Sequence, residues 1–184
     1  MTITTTIAIR PAKIEDAPAI AHVHNESWKT TYAGIVPASF LANLDTEART
    51  GMWRAQLANG NSIIFVAEAA SDIVGFVCGG PLREPLETYD AELYAIYLLQ
   101  EQQQQGTGRL LIHTLATTLL ERNFTRMLLW VLAQNPATSF YKHLGAIEIA
   151  QKQIEIGGAT LEELAFGWTD LHPLVSDKLQ IKPA

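Results

Sequence analysis

Cysteine is nearly absent from this chain. Cys78 is alone among 184 residues, so no internal disulfide can form and a reducing compartment is expected. Positive charge is scarce too. Thirteen Lys and Arg against nineteen Asp and Glu leave a formal net charge of −6. That balance argues against a broad surface for nucleic acid or anionic membrane, leaving room only for a local basic pocket. No basic stripe interleaves with aromatics. No charged start leads into an apolar run, and no apolar stretch nears the length of a membrane span, so a cytoplasmic protein without a membrane partner is expected. His22, His24, His113, His143 and His172 lack ligand spacing with Cys or carboxylates, so no metal site is expected.

What remains is ordinary globular material, 48% hydrophobic and 17% charged, at a length that favours one domain with a real core. Residues 3–10 read as a β-branched strand closed by Pro11, and Ile14 to Trp28 carry helical spacing with Glu15 and Asp16 in the first turn. Two short helices are expected at 38–43 and 46–58. Strands at 62–69 and 72–80, separated by Ala70 and Ser71 alone, imply an antiparallel hairpin. The charged, proline-containing segment 81–90 reads as an exposed loop. A strand at 91–99, a strong helix from Thr107 to Arg122 and an apolar strand at 126–132 follow. A short helix stopped by Gly145 and a hairpin around Gly157-Gly158 complete the pattern. The order is that of a mixed sheet with packed helices, one domain over 1–170, followed over 171–184 by an extension or a frayed tail.

One segment points to chemistry. Gln103-Gln104-Gln105-Gly106-Thr107-Gly108 joins the end of a strand to the start of a helix. Glycines there let unpaired backbone N–H groups approach an anion, helped by the helix dipole. A Walker A loop is excluded by the missing Lys-Ser/Thr pair, and Leu111 stands where a dinucleotide loop needs its third glycine. Downstream, Asn135 follows a buried strand, and Phe140-Tyr141 precede Gly145-Ala146.

With the Q-x-x-G-x-G loop and the Asn…Phe-Tyr…Gly-Ala stretch in this order, the chain resembles the GNAT N-acetyltransferase superfamily over roughly residues 5–168. The resemblance implies an α/β (α+β) fold: a mixed, mostly antiparallel sheet of about seven strands with helices on both faces. It implies acetyl-CoA as cosubstrate, held by Gln103, Gln104, Gln105, Gly106, Thr107, Gly108 and Arg109 at the pyrophosphate. Ile96, Tyr97 and Leu98 would lie along the pantetheine arm and Asn135 at its end. An N–H near Leu98 would polarise the thioester carbonyl, and Tyr141 would protonate the departing thiolate. Three glutamines stand where relatives often place cations.

The acceptor implied is a primary amine of a small molecule or peptide, and a homodimer is implied by resemblance alone. An ammonium must lose a proton before attack. Glu92, placed by strand alternation on one face with Tyr94, Ile96 and Leu98, is a candidate base or an exposed carboxylate. Trp28 and Tyr32 are candidates to line the acceptor cleft; for Trp28 the alternative is core packing. His24 and Cys78 read as core residues. Against the transferase stands one rival: a CoA-binding sensor or interaction module without turnover.

Overall fold

The β2–β3 hairpin (Ile63–Ala69 and Asp72–Pro81) and the β6–β7 hairpin (Ile147–Ile156 and Ala159–Trp168) anchor the two halves of a seven-stranded sheet. The computed structural model describes residues 6–86 and 88–176. Strand order is β1-β2-β3-β4-β5-β7-β6, with β1 at Ile7–Pro11, β4 at Ala91–Leu98 and β5 at Met127–Leu132. Every neighbouring pair is antiparallel except β4 and β5, which run parallel. Both hairpins turn on two residues with positive φ: Ala70 and Ser71 in the first, Gly157 and Gly158 in the second. That backbone matches the right-handed twist of the strands. Pro11 is tolerated inside β1 because β1 is an edge strand. Residues 3–5 of the expected first strand lie outside the described residues.

Helices cover both faces. On one, α1 (Ala17–Thr31) and α3 (Thr46–Asn59) bury Ile20, Val23 and Trp53 against Val66, Phe76 and Cys78. Between them lies α2 (Ala38–Ala42). On the other face, α4 (Thr107–Glu121) buries Leu111, Leu115 and Leu119 against Val77, Leu93 and Leu129. Each such side chain contributes about 1.5–3 kcal/mol. A 3-10 turn at Ile14–Asp16 precedes α1, and Arg10 grips Asp16 through two bonds of 2.7 and 3.0 Å. Those bonds hold the Asp16 carboxyl below its usual range. Asp45 caps α3 by accepting from the Glu47 and Ala48 amides.

After residue 170, where the sequence left an extension or a frayed tail open, the chain forms α6 (His172–Val175). Leu171 and Leu174 are buried in the same core as α4, and this apolar burial outweighs the entropy of a free tail. Residues 177–184 of the expected extension lie outside the described residues.

His24 is core, as its place on the apolar face of α1 suggests. Its Nδ1 accepts from Trp53 Nε1 at 3.3 Å, and its ring stacks on Tyr97 at 4.9 Å. Burial, reinforced by Arg49, pushes its pKa from 6.5 down to about 3. Between those values the unfolded chain binds a proton that the folded one refuses, so stability falls as pH drops below 6.5. Urea titrations at two pH values a unit and a half apart, starting at 6.5, should show this loss shrinking by about 1.5 kcal/mol in His24→Gln. An identical pH slope in the variant would contradict the neutral, buried imidazole.

The feature that positions the site is an irregularity in β4. Gly79 of β3 faces Leu93 and Cys78 faces Ala95, so Tyr94 is an extra, bulged residue. Alternation therefore shifts at Tyr94. Ile96 and Leu98 turn toward the α4 core, while Tyr94, Ala95 and Tyr97 turn toward α1. The expectation that Glu92 shares a face with Ile96 and Leu98 is corrected by this bulge. Moreover, β4 pairs with β5 only over Ala91–Leu93 against Met127–Leu129. Beyond that point the two strands part.

Candidate active site

The gap between β4 and β5 is a cavity of about 660 Å³. Ile96, Tyr97 and Leu98 line one wall and Trp130 and Val131 the other, and Asn135 and Tyr141 line it too. From the glycine loop, Gln103, Gln104, Gly106, Gly108 and Arg109 line the cavity, whereas Gln105 and Thr107 do not.

The loop is shaped for an anion. Gln104 and Gly106 have φ of +61° and +88°, which turn the chain sharply into the start of α4. Gly106 is the N-cap, and no side chain caps the helix. The first N–H groups of α4 are therefore left for a ligand or water. Gly108 permits a close approach: a Cβ there would lie 3.4 Å from the Phe140 ring. The glutamines have a structural use. Gln103 Nε2 donates to the Leu98 carbonyl at 3.1 Å, and Gln105 Nε2 donates to the Glu101 carbonyl at 2.7 Å. Two of the three thus brace the loop from within.

Three tyrosines line the cavity together. Tyr32, 5% exposed, exchanges a 3.4 Å contact with the Tyr97 hydroxyl and accepts from Asn135 Nδ2 at 3.2 Å. Trp28 Nε1 donates to the Tyr97 hydroxyl at 3.0 Å. Trp28 itself does not line the cavity; it packs behind Tyr97 and Tyr32. The Tyr141 hydroxyl has no hydrogen-bond partner among the described residues, and its residue lines the cavity. Burial first, then the neighbouring Tyr32, pushes its pKa far above the usual 10. It keeps its proton at any ordinary pH.

Asn135 links this cluster to α5 (Ala137–His143), because its Oδ1 accepts from the Ala137 amide at 2.8 Å. Asn135→Ala loses that bond and the one to Tyr32, and should destabilise the fold by about 1–3 kcal/mol in urea unfolding. An unchanged stability would show that the two bonds contribute nothing.

Glu92 is 3% exposed and pairs with Arg83. Its Oε2 accepts from the Arg83 amide at 3.1 Å and its Oε1 from the guanidinium. Arg83 also lies over the Tyr94 ring at 4.7 Å. Glu92 is thus an engaged carboxylate, away from the cavity wall, rather than the exposed one that its strand-start position suggested. The 81–90 segment is accordingly tied down at Arg83.

Four residues carried no site assignment in the sequence. Tyr94 lines the cavity at the bulge. Trp130 was hidden in an apolar run, and Glu163 and Lys152 in a hairpin of mixed polarity. The consecutive pair Glu162-Glu163, which interrupts strand alternation, was the one available signal.

Among the described residues no helix is long and apolar enough to cross a membrane, and no group of three or more His, Cys, Asp or Glu could hold a metal ion.

Residues 21–146 match the acetyltransferase (GNAT) family. YuaI, an uncharacterized N-acetyltransferase of Bacillus subtilis (strain 168), is 41% identical over 169 residues, covering 91% of this chain and 96% of that protein. Among solved structures, PaiA N-acetyltransferase from Thermoplasma acidophilum, in complex with coenzyme A, superposes with a TM-score of 0.61 at 24% identity, over 86% of this chain and 98% of that one. YncA from Salmonella typhimurium, with its cofactor acetyl-CoA, gives 0.68 at 21% identity, over 91% of this chain and 95% of that one. At such identities the two structures speak for the shared fold.

Proposed function

The chain belongs to the acetyltransferase (GNAT) family, and from that premise we propose that it transfers the acetyl group of acetyl-CoA to a primary amine of a small molecule or peptide. The observation that carries this is the parting of β4 from β5 at Tyr94 beside an uncapped helix start. An elongated ligand with an anionic end fits that arrangement, and two of the structural relatives hold coenzyme A or acetyl-CoA.

Acetyl-CoA supplies a thioester, whose carbonyl is open to attack by an amine. The backbone amides from Gln104 to Gly108, with Arg109 beside them, would hold its diphosphate, while the Gln103 amide is spent on the Gln100 carbonyl at 3.2 Å. The edge of β4 freed from β5 offers Ile96, Tyr97 and Leu98 to its amide-bearing arm, with Asn135 near the end. Leu98's carbonyl is already taken by Ser27 Oγ and Gln103 Nε2, so the N–H groups of this stretch are the ones assigned to the arm and to the thioester oxygen. Tyr141, protonated and without a protein partner, would give its proton to the leaving sulfur as the carbon–sulfur bond breaks.

Direct attack is favoured over an acyl-enzyme. Cys78 is fully buried in β3, away from the cavity, and burial pushes its thiol up to about 12. Tyr32 is assigned to the acceptor end, with Trp28 holding Tyr97 in place behind it. Glu92 would take a proton from the acceptor in competition with Arg83, which donates to both its oxygens.

The test is a panel of amines and peptides incubated with acetyl-CoA, followed by thiol release and mass of the N-acetylated product. Product equal to the thiol released is expected. Tight acetyl-CoA binding with no release across the panel would instead support a sensor without turnover.

A further inference from the structure

Lys152 lies in an unusual place for a surface lysine. Its Nζ sits 4.0 Å from the centroid of the Trp130 ring, well inside the range of a cation–π contact. Glu163 Oε2 is 3.7 Å from the same Nζ, too long for a good hydrogen bond. An aromatic face and a carboxylate thus converge on one ammonium, loosely held.

Register explains the convergence. Leu132 of β5 faces Glu163 of β7, and Glu163 faces Lys152 of β6, so the three share one side of the sheet. Trp130, two residues from Leu132, shares it too. Leu129 and Val131 belong to the core on the α4 side, so the Trp130 indole is on the α1 side, while still lining the cavity wall at the point where β4 departs. This is the side of the gap away from the glycine loop and α4.

Charge sharpens the picture. Arg83 and Glu92 cancel one another, and Lys152 and Glu163 do the same. If Lys152 swings out, Glu163 is left as one uncompensated carboxylate beside an open indole face. Lys152 can swing: it stands on the edge strand β6 and its side chain is 38% exposed, against 19% for Glu163. Burial raises the Glu163 carboxyl, and Lys152 only partly offsets this, so a cation held closer would suit it better.

We propose that Trp130 and Glu163 form the seat for the acceptor's ammonium group, and that Lys152 fills that seat until an acceptor displaces it. The acceptor class is then an alkylammonium, in preference to a neutral arylamine or an alcohol. As a substrate site this rests on the transferase reading; as a cation site it does not.

The seat can be tested without acetyl-CoA. n-Butylammonium chloride is titrated against the protein while the Trp130 indole N–H, assigned with Trp130→Phe, is followed by NMR. n-Butanol serves as the uncharged isostere. With its internal competitor removed, Lys152→Met should reach half-saturation at about threefold lower n-butylammonium than the wild type. Glu163→Gln should need about threefold more, and Lys152→Arg, which keeps a cation in the seat, should resemble the wild type. An equal or higher midpoint in Lys152→Met would overturn the proposal, as would n-butanol shifting Trp130 as strongly. Acetyl transfer to n-butylamine is measured separately. Seat binding without any transfer would sink the transferase reading alone.

Discussion

Gly106→Glu is expected to weaken acetyl-CoA binding by about 100-fold or more, which corresponds to about 2.7 kcal/mol, while the fold survives. Gly106 is the N-cap of α4 with φ of +88°. A side chain there costs about 1 kcal/mol in backbone strain, but it meets no atom within 4 Å. The new carboxylate would stand at the positive end of α4, where it favours the helix and competes with a diphosphate for the same amides. Repulsion between charges about 4 Å apart is worth about 1–4 kcal/mol between bulk water and a protein surface. Calorimetric titration of acetyl-CoA reads the loss. Gly106→Ala, with the same strain and no charge, should lose less than about tenfold. Undiminished affinity in Gly106→Glu would place the diphosphate elsewhere.

Tyr141→Phe is expected to lower kcat by about 100-fold or more, with little change in KM for acetyl-CoA. The ring itself is held by Phe140 and Trp168 at centroid distances of 5.4 and 6.4 Å, so phenylalanine should keep the packing and lose only the proton. Because burial holds that proton well beyond neutrality, the wild type should show no activity loss from Tyr141 ionisation at mildly alkaline pH. A variant with wild-type kcat would remove Tyr141 as the proton donor for sulfur.

The parts of this molecule that depend on local chemistry were legible in the chain. Gly106, Gly108 and the amphipathic run after them announce a helix start with free amides, because φ and capping are set by adjacent residues. The two-residue gaps at Ala70-Ser71 and Gly157-Gly158 announce hairpins for the same reason. Parts that depend on pairing across the sheet were not legible. The bulge at Tyr94 exists only in the register of β3 against β4, and it puts Glu92 and Ile96 on opposite faces of the sheet. The Arg83–Glu92 pair links a loop that looked free to a residue that looked exposed. Trp130, Lys152 and Glu163 come from three strands, and no single stretch shows that they meet. An extension and a frayed tail stayed equally open after residue 170, because the core that takes up Leu171 and Leu174 is built by distant elements.

The central claim is transfer of acetyl from coenzyme A to nitrogen at the parting of β4 and β5. Its most direct test supplies acetyl-CoA labelled on the acetyl group with the amine panel, and follows label and free thiol together. The predicted result is label appearing on acceptor nitrogen in step with thiol release, and both falling in Tyr141→Phe and Gly106→Glu. Acetyl-CoA that binds at the loop and returns intact, with every acceptor unlabelled, would contradict it.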